Sequence, residues 1–423
     1  MDLAVVLEYR FERTPDGAVW TQTMFPHSFW TRYLDVFDRV RIIARARDVD
    51  AAPERSLRVD GEGVELFGIP YYHGPGEYLR QFVRVGKAVK RSVEPEHAII
   101  LRVGSMVGNL VERRFLKAER PFGVEVVGDP WEVFAPAAMK HPLRPLLRRY
   151  FTRCLKRQCS RACAVAYVTE SALQRRYPAS PECLSTHYSS VELGEAAFKL
   201  SSNFEFCKGE TPHLITVGTL EQRYKGIDVL IDAVTRCIRE GFSLRLTILG
   251  DGIYRGELEA RAERAGCRGQ IIFAGTVPPG EAVRRKLDEA DLFVLASRLE
   301  GVPRAMIEAM ARGLPCIGTD VGGIPELLPP EDLVAANDAA ALATKIREVL
   351  TDPDRLRQSA RRNLETAARY RDDRLRERRL LFYGTVRDAT EKWLPGVARS
   401  RRPLDNNARS NKEGLSMRET PRV

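Results

Sequence analysis

Two carboxylates, Glu300 and Glu308, frame the stretch Glu-Gly-Val-Pro-Arg-Ala-Met-Ile-Glu. It runs straight into Ala-Met-Ala-Arg-Gly-Leu-Pro-Cys-Ile-Gly-Thr-Asp-Val-Gly-Gly-Ile-Pro-Glu at residues 309–326. In a chain with 57 acidic residues such a spacing alone says nothing; its setting does. Leu292-Phe-Val-Leu-Ala-Ser297 reads as a strand and Arg298–Gly301 as a loop. A helix is predicted to begin near Val302 or Pro303, because proline is welcome in a first turn. A helix start presents unpaired N–H groups and the positive end of a dipole, which suit a diphosphate. Gly301, without a Cβ, lets the backbone approach closely. If both glutamates were helical they would stand ~12 Å apart along the axis. Carboxylates of inverting glycosidases sit at most ~9.5 Å apart, and those of retaining ones closer. The pair therefore suits hydroxyls at two points of an elongated ligand better than two-carboxylate hydrolysis.

A second constellation is Val217-Gly-Thr-Leu-Glu-Gln-Arg-Tyr-Lys-Gly-Ile-Asp-Val-Leu-Ile-Asp-Ala233. Together the two segments resemble the nucleotide-sugar site of family 4 retaining glycosyltransferases, over most of residues 211–350. The resemblance implies that Glu308 accepts hydrogen bonds from ribose hydroxyls and that Glu300 contacts the donor sugar. It also implies a loop after the first strand of this half in which Arg and Lys clamp the donor diphosphate. Lys225, before Gly226, matches the Lys. Thr219, after Gly218, stands where the Arg is usual, and Arg223 is the candidate to replace that charge. Fixed cations there stabilise a leaving diphosphate. Leu249-Gly-Asp-Gly252 looks like the family's loop near the base, which brings in Gly250 and Asp251. Arg255 occupies the third glycine's place, so a nicotinamide-binding fingerprint is a poor fit. Gly275-Thr-Val277 resembles the loop that touches the base through backbone atoms. Val302 and Arg304, in the helix start, complete the implied donor-binding set, and Gly322-Gly323 is expected close to Glu300 or the sugar.

The first half is less legible. Arg13-Thr-Pro-Asp-Gly17 follows the first predicted strand, where the family keeps a glycine loop near diphosphate and acceptor, so Gly17 is an acceptor-side candidate. Val126-Val-Gly-Asp129-Pro-Trp ends another predicted strand. Many family members place a His near this point; here Asp129 stands there. It either orients or deprotonates an acceptor hydroxyl, or caps the following turn.

Apolar runs alternate with helical stretches in both halves. The predicted strands are Leu3–Tyr9, Val40–Ala46, Val64–Ile69, Ala98–Val103, Gly123–Val127 and Ala164–Thr169, then Leu214–Gly218, Leu244–Gly250, Ile271–Gly275, Leu292–Ser297 and Cys316–Thr319. Near-continuous apolarity is the mark of strands covered by helices on both faces, and 423 residues exceed a single core. The expectation is α/β: a GT-B fold of two Rossmann-like, doubly wound domains facing a cleft. The first covers residues 1–190, on the acceptor side. A linker covers 191–211, the nucleotide-sugar domain 212–370, and a C-terminal helix at 371–395 packs back on the first domain. Residues 396–423, rich in Arg, Asn and Ser, are expected to form a disordered tail.

The chain is 44% hydrophobic and 29% charged, as in ordinary globular proteins. No apolar run reaches the ~20 residues of a membrane span. The start, Met-Asp-Leu-Ala-Val-Val-Leu-Glu-Tyr, reads as a first strand and not as a signal peptide. Eight cysteines, with no Cys-x-x-Cys pair, read as reduced thiols and not as a metal site. The net charge of +10 is uneven. From Lys140 to Arg161 basic residues interleave with Leu143, Leu146, Leu147, Tyr150, Phe151 and Leu155, without an acid. Such a helix docks on an anionic membrane surface, binds nucleic-acid phosphate, or is a solvated face. Because acceptors in this class are frequently lipid-linked, membrane docking is the expectation, and nucleic-acid binding is not, since no recognisable module accompanies the charge.

The resemblance implies transfer of a sugar from a nucleoside diphosphate donor, UDP- or GDP-linked, to a glycan or lipid-linked acceptor in surface-polysaccharide synthesis. Anomeric configuration would be retained, on the cytoplasmic side or face of the membrane. No Asp-x-Asp motif stands in the expected place, since Asp372-Asp373 falls in the C-terminal helical region, so no metal cofactor is expected. The alternatives are a degenerate sugar-nucleotide module, for which Thr219 speaks, and an epimerase of the same fold.

Overall fold

A computed structural model describes residues 1–22, 24–54, 56–115, 119–135, 141–199 and 211–400. Most of the 191–211 linker, Lys140 and residues 401–423 of the expected tail lie outside the described residues.

Among the described residues the N-terminal half holds strands β1 (Leu3–Arg13), β2 (Val19–Thr21), β3 (Val40–Asp48), β4 (Leu57–Arg58), β5 (Val64–Pro70), β6 (Ala98–Val103), β7 (Gly123–Val126), β8 (Ala164–Tyr167) and β9 (Leu184–His187). Its helices are α1 (His27–Leu34), α2 (Gly74–Ser92), α3 (Met106–Phe115), α4 (Pro130–Val133), α5 (Arg144–Arg161) and α6 (Ala172–Arg176). The parallel part of this sheet runs β5-β3-β1-β6-β7-β8-β9, with β2 and β4 added antiparallel beyond the far end of β1.

The C-terminal half holds β10 (His213–Val217), β11 (Arg245–Leu249), β12 (Ile271–Gly275), β13 (Leu292–Leu295), β14 (Cys316–Thr319) and β15 (Leu333–Val334), interleaved with α7 (Ile227–Arg239), α8 (Arg255–Arg264), α9 (Glu281–Asp288), α10 (Arg304–Ala311), α11 (Ala339–Leu350) and α12 (Pro353–Ala368). All six strands are parallel, in the order β12-β11-β10-β13-β14-β15. Both sheets thus share one winding: the strand order reverses beside the first strand, between β1 and β6 and between β10 and β13. Loops diverge at that point and leave a crevice beyond the carboxyl ends of the strands.

The last helix, α13 (Asp372–Ser400), leaves the C-terminal half and lies across the N-terminal sheet. Phe382 and Val386 are fully buried there. A Cβ at Gly123 on β7 would stand 2.6 Å from Val386 Cγ2 and 2.9 Å from Phe382 Cζ, so the strand has no side chain where the helix crosses it. Tyr383 packs on Tyr33 of α1 at 4.7 Å between ring centroids. One apolar core therefore draws on both halves, from Leu3 and Tyr188 to Met306, Tyr370 and Val386. The helix runs beyond residue 395 to Ser400, past the predicted boundary.

Two expectations for the first half change. β1 does not end at Tyr9; it continues to Arg13 and turns through Thr14–Ala18 into β2. Gly17, at φ +85°, is the tip of that hairpin with open space around it. The basic stretch at 140–161 is helical from Arg144, but its inner face is committed. Thr152, Cys154, Leu155, Gln158 and Cys159 are buried, and Arg157 grips Glu112 through two bonds of 2.7 Å.

Candidate active site

The C-terminal crevice is built from the ends of β10 and β13. After β10 come Gly218, Thr219 and a single tight turn, Arg223–Lys225, which ends at Gly226. Gly226 has φ +65°, and a Cβ there would lie 1.9 Å from the Ala296 carbonyl oxygen, so only glycine fits. This close approach brings the turn onto the loop after β13. Lys225 Nζ meets Glu300 Oε1 at 2.7 Å, with the two side chains 16% and 8% exposed. Ser297 Oγ donates to the same Glu300 oxygen at 2.7 Å. Such a pair is held by the matching of its charges, because removing one partner strands the other away from water.

Arg223, the candidate to replace the missing arginine, is engaged on α8 in this structure. Arg223 pairs with Glu257 on α8 at 2.6 Å and covers the Tyr254 ring at 4.8 Å. Its charge is used on α8 instead of beside Lys225. Thr219 is exposed, and its hydroxyl accepts from the Glu221 N–H at 3.2 Å. Arg298, in the loop after β13, is also occupied, by two bonds to Asp228 of 2.8 and 2.7 Å.

Helix α10 starts at Arg304, with Pro303 as its N-cap, slightly later than predicted. Val302 is buried. Glu308 is one turn beyond Arg304 and, like it, lines a cavity of about 390 Å³ between the two halves. Phe25, Phe29 and Arg32 face it from the N-terminal half, and Gly280, Val283 and Arg284 from the C-terminal half. Burial pushes the Glu308 carboxyl above its usual range, and Arg304 and Arg284 pull it back in part. Among the described residues neither arginine reaches a carboxylate at ion-pair distance, and Glu308 has no hydrogen-bond partner. These three groups face the same cavity.

The remaining donor-side candidates frame the same end of the sheet. Gly250 N–H donates to the Gly275 carbonyl at 2.8 Å, and the Asp251 carbonyl accepts from Leu220 N–H at 2.8 Å. The Asp251 carboxylate is held below its usual range by the Gly252 N–H and by Arg255, 2.9 Å away. Val277 is half-buried and packs on the shared core. Gly301 lies against Val168 of the N-terminal half, whose Cγ2 is 3.5 Å from where a Cβ would be.

Asp129 is not brought to this cluster. It caps α4 through the Trp131 N–H at 2.9 Å, accepts from the Tyr177 hydroxyl at 2.5 Å, and pairs with Arg176. It thus caps the turn, as one of the two sequence readings expects. Sequence reasoning missed Glu8. Its carboxylate sits at the N-terminal reversal point, accepting from Tyr72 hydroxyl at 2.9 Å, Ser105 hydroxyl at 3.1 Å and Met106 N–H at 2.8 Å, beside Arg45 at 3.1 Å. An acid closing an apolar strand was the only local signal.

Residues 211–352 match the family model described as Glycosyl transferases group 1. Protein CapJ of Staphylococcus aureus is 24% identical over 390 residues, covering 91% of this chain and 96% of CapJ. The putative colanic acid biosynthesis glycosyltransferase WcaL of Salmonella typhimurium is 37% identical over 144 residues, covering 32% of this chain and 35% of WcaL, so that the match spans about a third of that relative. Among solved structures, the sucrose-phosphate synthase of Thermosynechococcus elongatus superposes with a TM-score of 0.59 at 17% identity, over 95% of this chain and all of that one. Anabaena HepE in complex with UDP gives 0.58 at 16% identity, over 94% of this chain and 100% of that chain. The architecture is GT-B, and its C-terminal half carries a glycosyltransferase domain of group 1.

A raised carboxyl pKa means that folding favours protonated Glu308. Its ionisation therefore costs stability progressively as pH rises from the ordinary carboxylate value, ~4.3, through the raised one. Glu308→Gln removes that cost. The melting temperature of the variant is expected to exceed that of the wild type at pH 8, with the gap closing as pH falls toward ~4.3. A gap independent of pH contradicts this assignment.

Proposed function

We propose that the protein is a retaining glycosyltransferase that moves a sugar from a nucleoside diphosphate sugar to an acceptor hydroxyl of a growing surface glycan. The observation that carries the reading is the Lys225–Glu300 pair at the β10/β13 reversal, next to the start of α10 and one helical turn away from unpartnered Glu308. In this reading the diphosphate lies across the first turn of α10 and draws Lys225 Nζ from Glu300 to its terminal phosphate. The freed Glu300 oxygen then accepts from a hydroxyl of the sugar, while Ser297 keeps the carboxylate oriented. Glu308 accepts the ribose hydroxyls. Their hydrogen bonds return the stabilisation that burial removes from its charge, so the residue is least settled when the site is empty.

The acceptor oxygen forms its bond to the anomeric carbon as the bond from that carbon to the phosphate oxygen breaks. The bonding pair leaves with the nucleoside diphosphate. The acceptor proton passes to a phosphate oxygen on the same face, so configuration is retained. Glu300, gripped by Lys225 and Ser297 at one oxygen, has the bearing of a binding group more than of a nucleophile. Lys225, Arg304 and the α10 terminus supply positive charge for the departing diphosphate, and the reading assigns no metal cofactor. WcaL, named for colanic acid biosynthesis, and an amylovoran biosynthesis glycosyltransferase of Erwinia amylovora support a polysaccharide product. A module that binds donor without transfer is the second reading; it is favoured by Arg223 being spent on Glu257, which leaves one lysine where two cations are implied.

Nucleotide release from a panel of UDP- and GDP-sugars with a glycan acceptor tests the reading. Release from one donor is expected, unchanged in EDTA. Glu308→Ala should lower kcat/KM by about 10²-fold, the scale set by losing two hydrogen bonds to a charged group. Tight donor binding without any turnover would favour the module.

A membrane-linked acceptor would place the enzyme at an anionic membrane surface on the cytoplasmic side. Among the described residues no helix is long and apolar enough to cross a membrane. Two basic helices carry exposed apolar residues. Leu79, Phe82 and Val83 project from α2 among Arg80, Arg84, Lys87, Lys90 and Arg91. Leu143 and Leu146 flank the start of α5, with Leu146 65% exposed. In this reading the basic stretch docks together with α2. Sedimentation with phosphatidylglycerol vesicles should fall several-fold in Leu79→Asp/Phe82→Asp. Equal sedimentation of the two proteins contradicts docking through α2.

A further inference from the structure

The loop that backs the candidate sugar site also reaches the other half of the molecule. After β14, Gly322 takes φ +56°, and a Cβ there would lie 1.9 Å from the Glu300 carbonyl oxygen. Gly323 N–H donates to the Gly301 carbonyl at 2.8 Å. Thr319 Oγ1 donates to the Ser297 carbonyl at 2.6 Å. Residues 319–323 are thus fastened to the loop bearing Ser297 and Glu300. A short turn, Ile324–Glu326, follows. The Glu326 carboxylate crosses to the N-terminal half, where Oε2 accepts from Glu170 N–H at 2.6 Å. Oε1 accepts from Ser171 N–H at 2.9 Å, Ala172 N–H at 2.7 Å and Ser171 Oγ at 3.1 Å. Four donors converge on one carboxylate from a segment about 155 positions earlier in the chain.

We infer that Glu326 is a positioning residue, a strut that sets the angle between the two halves and so registers acceptor with donor sugar. The inference rests on the donor-site reading above. Two properties distinguish it from ordinary packing. The bonds are charge-assisted and directional, so they fix orientation as well as contact. They are also carried by a loop whose other end touches the Glu300 segment directly, with Gly301 against Val168 two residues before Glu170. Rotation of one half against the other would break all four bonds together. A carboxamide cannot replace the carboxylate, because its NH₂ would face N–H donors.

Glu326→Gln is therefore expected to leave UDP or GDP binding within about 3-fold of wild type, while acceptor-dependent transfer falls by ~10²-fold, the scale of a small misplacement of reacting groups. Small-angle X-ray scattering should show a wider spread of interdomain angles. Ser171→Ala removes one of the four bonds. It should reduce transfer about 3-fold in the same direction and carries the test if Glu326→Gln fails to fold. Unchanged transfer and scattering in both variants overturn the inference. So does loss of nucleotide affinity in proportion to transfer, which would make Glu326 a support of the donor loop only. If the wild type binds neither nucleotide, the donor-site reading fails instead, and scattering alone decides whether Glu326 is a strut.

Discussion

The reversal of strand order between β10 and β13 is the constraint on which the C-terminal half depends. Parallel strands of a doubly wound sheet send their connections to opposite faces on either side of the first strand, so the loops after β10 and β13 part and then face each other. Lys225 comes from one and Glu300 from the other, and their 2.7 Å contact closes the gap. Gly226 permits the approach, because any side chain there would strike the Ala296 carbonyl. The same reversal directs the start of α10 into the crevice and sets Glu308 one turn inside it.

The N-terminal half repeats the winding but not the chemistry. Its reversal point, between β1 and β6, is filled by Glu8, whose carboxylate is consumed by Tyr72, Ser105, Met106 and Arg45. A sheet of the same order thus presents a basic, partly unsatisfied crevice on one side and a closed acidic one on the other. The two are tied by α13, which passes from the C-terminal half to bury Phe382 and Tyr383 on the N-terminal sheet, and by Glu326 at the base of the cleft. The cavity holding Glu308 draws its walls from both halves, so its shape depends on the angle at which they meet.

Much of the fold was legible because strands covered on both faces must be apolar along their whole length. Ala98–Val103, Ile271–Gly275 and Cys316–Thr319 match their predicted bounds. β2, β4, β9 and β15 were not legible; they are two to four residues long, too short to carry a pattern of their own. The site divides in the same way. Lys225 and Glu300 stand in local motifs and were placed together. Arg223 has a partner that its local motif does not announce, Glu257, 34 positions away on α8. Gly17 belongs to a Pro-Asp-Gly turn that serves a hairpin as well as a ligand loop. Asp129 carried both readings in its local sequence, and its partners Arg176 and Tyr177 are distant in the chain. Glu326 ends a quoted motif, yet nothing near it announces an acceptor for N–H groups in the other half.

A crystal structure of the protein with UDP or GDP tests the central claim most directly. The account predicts ribose hydroxyls on the Glu308 carboxylate, the diphosphate across the first turn of α10, and Lys225 Nζ moved from Glu300 to the terminal phosphate. A nucleotide bound elsewhere, or one that leaves the Lys225–Glu300 pair intact and Glu308 unpartnered, contradicts it.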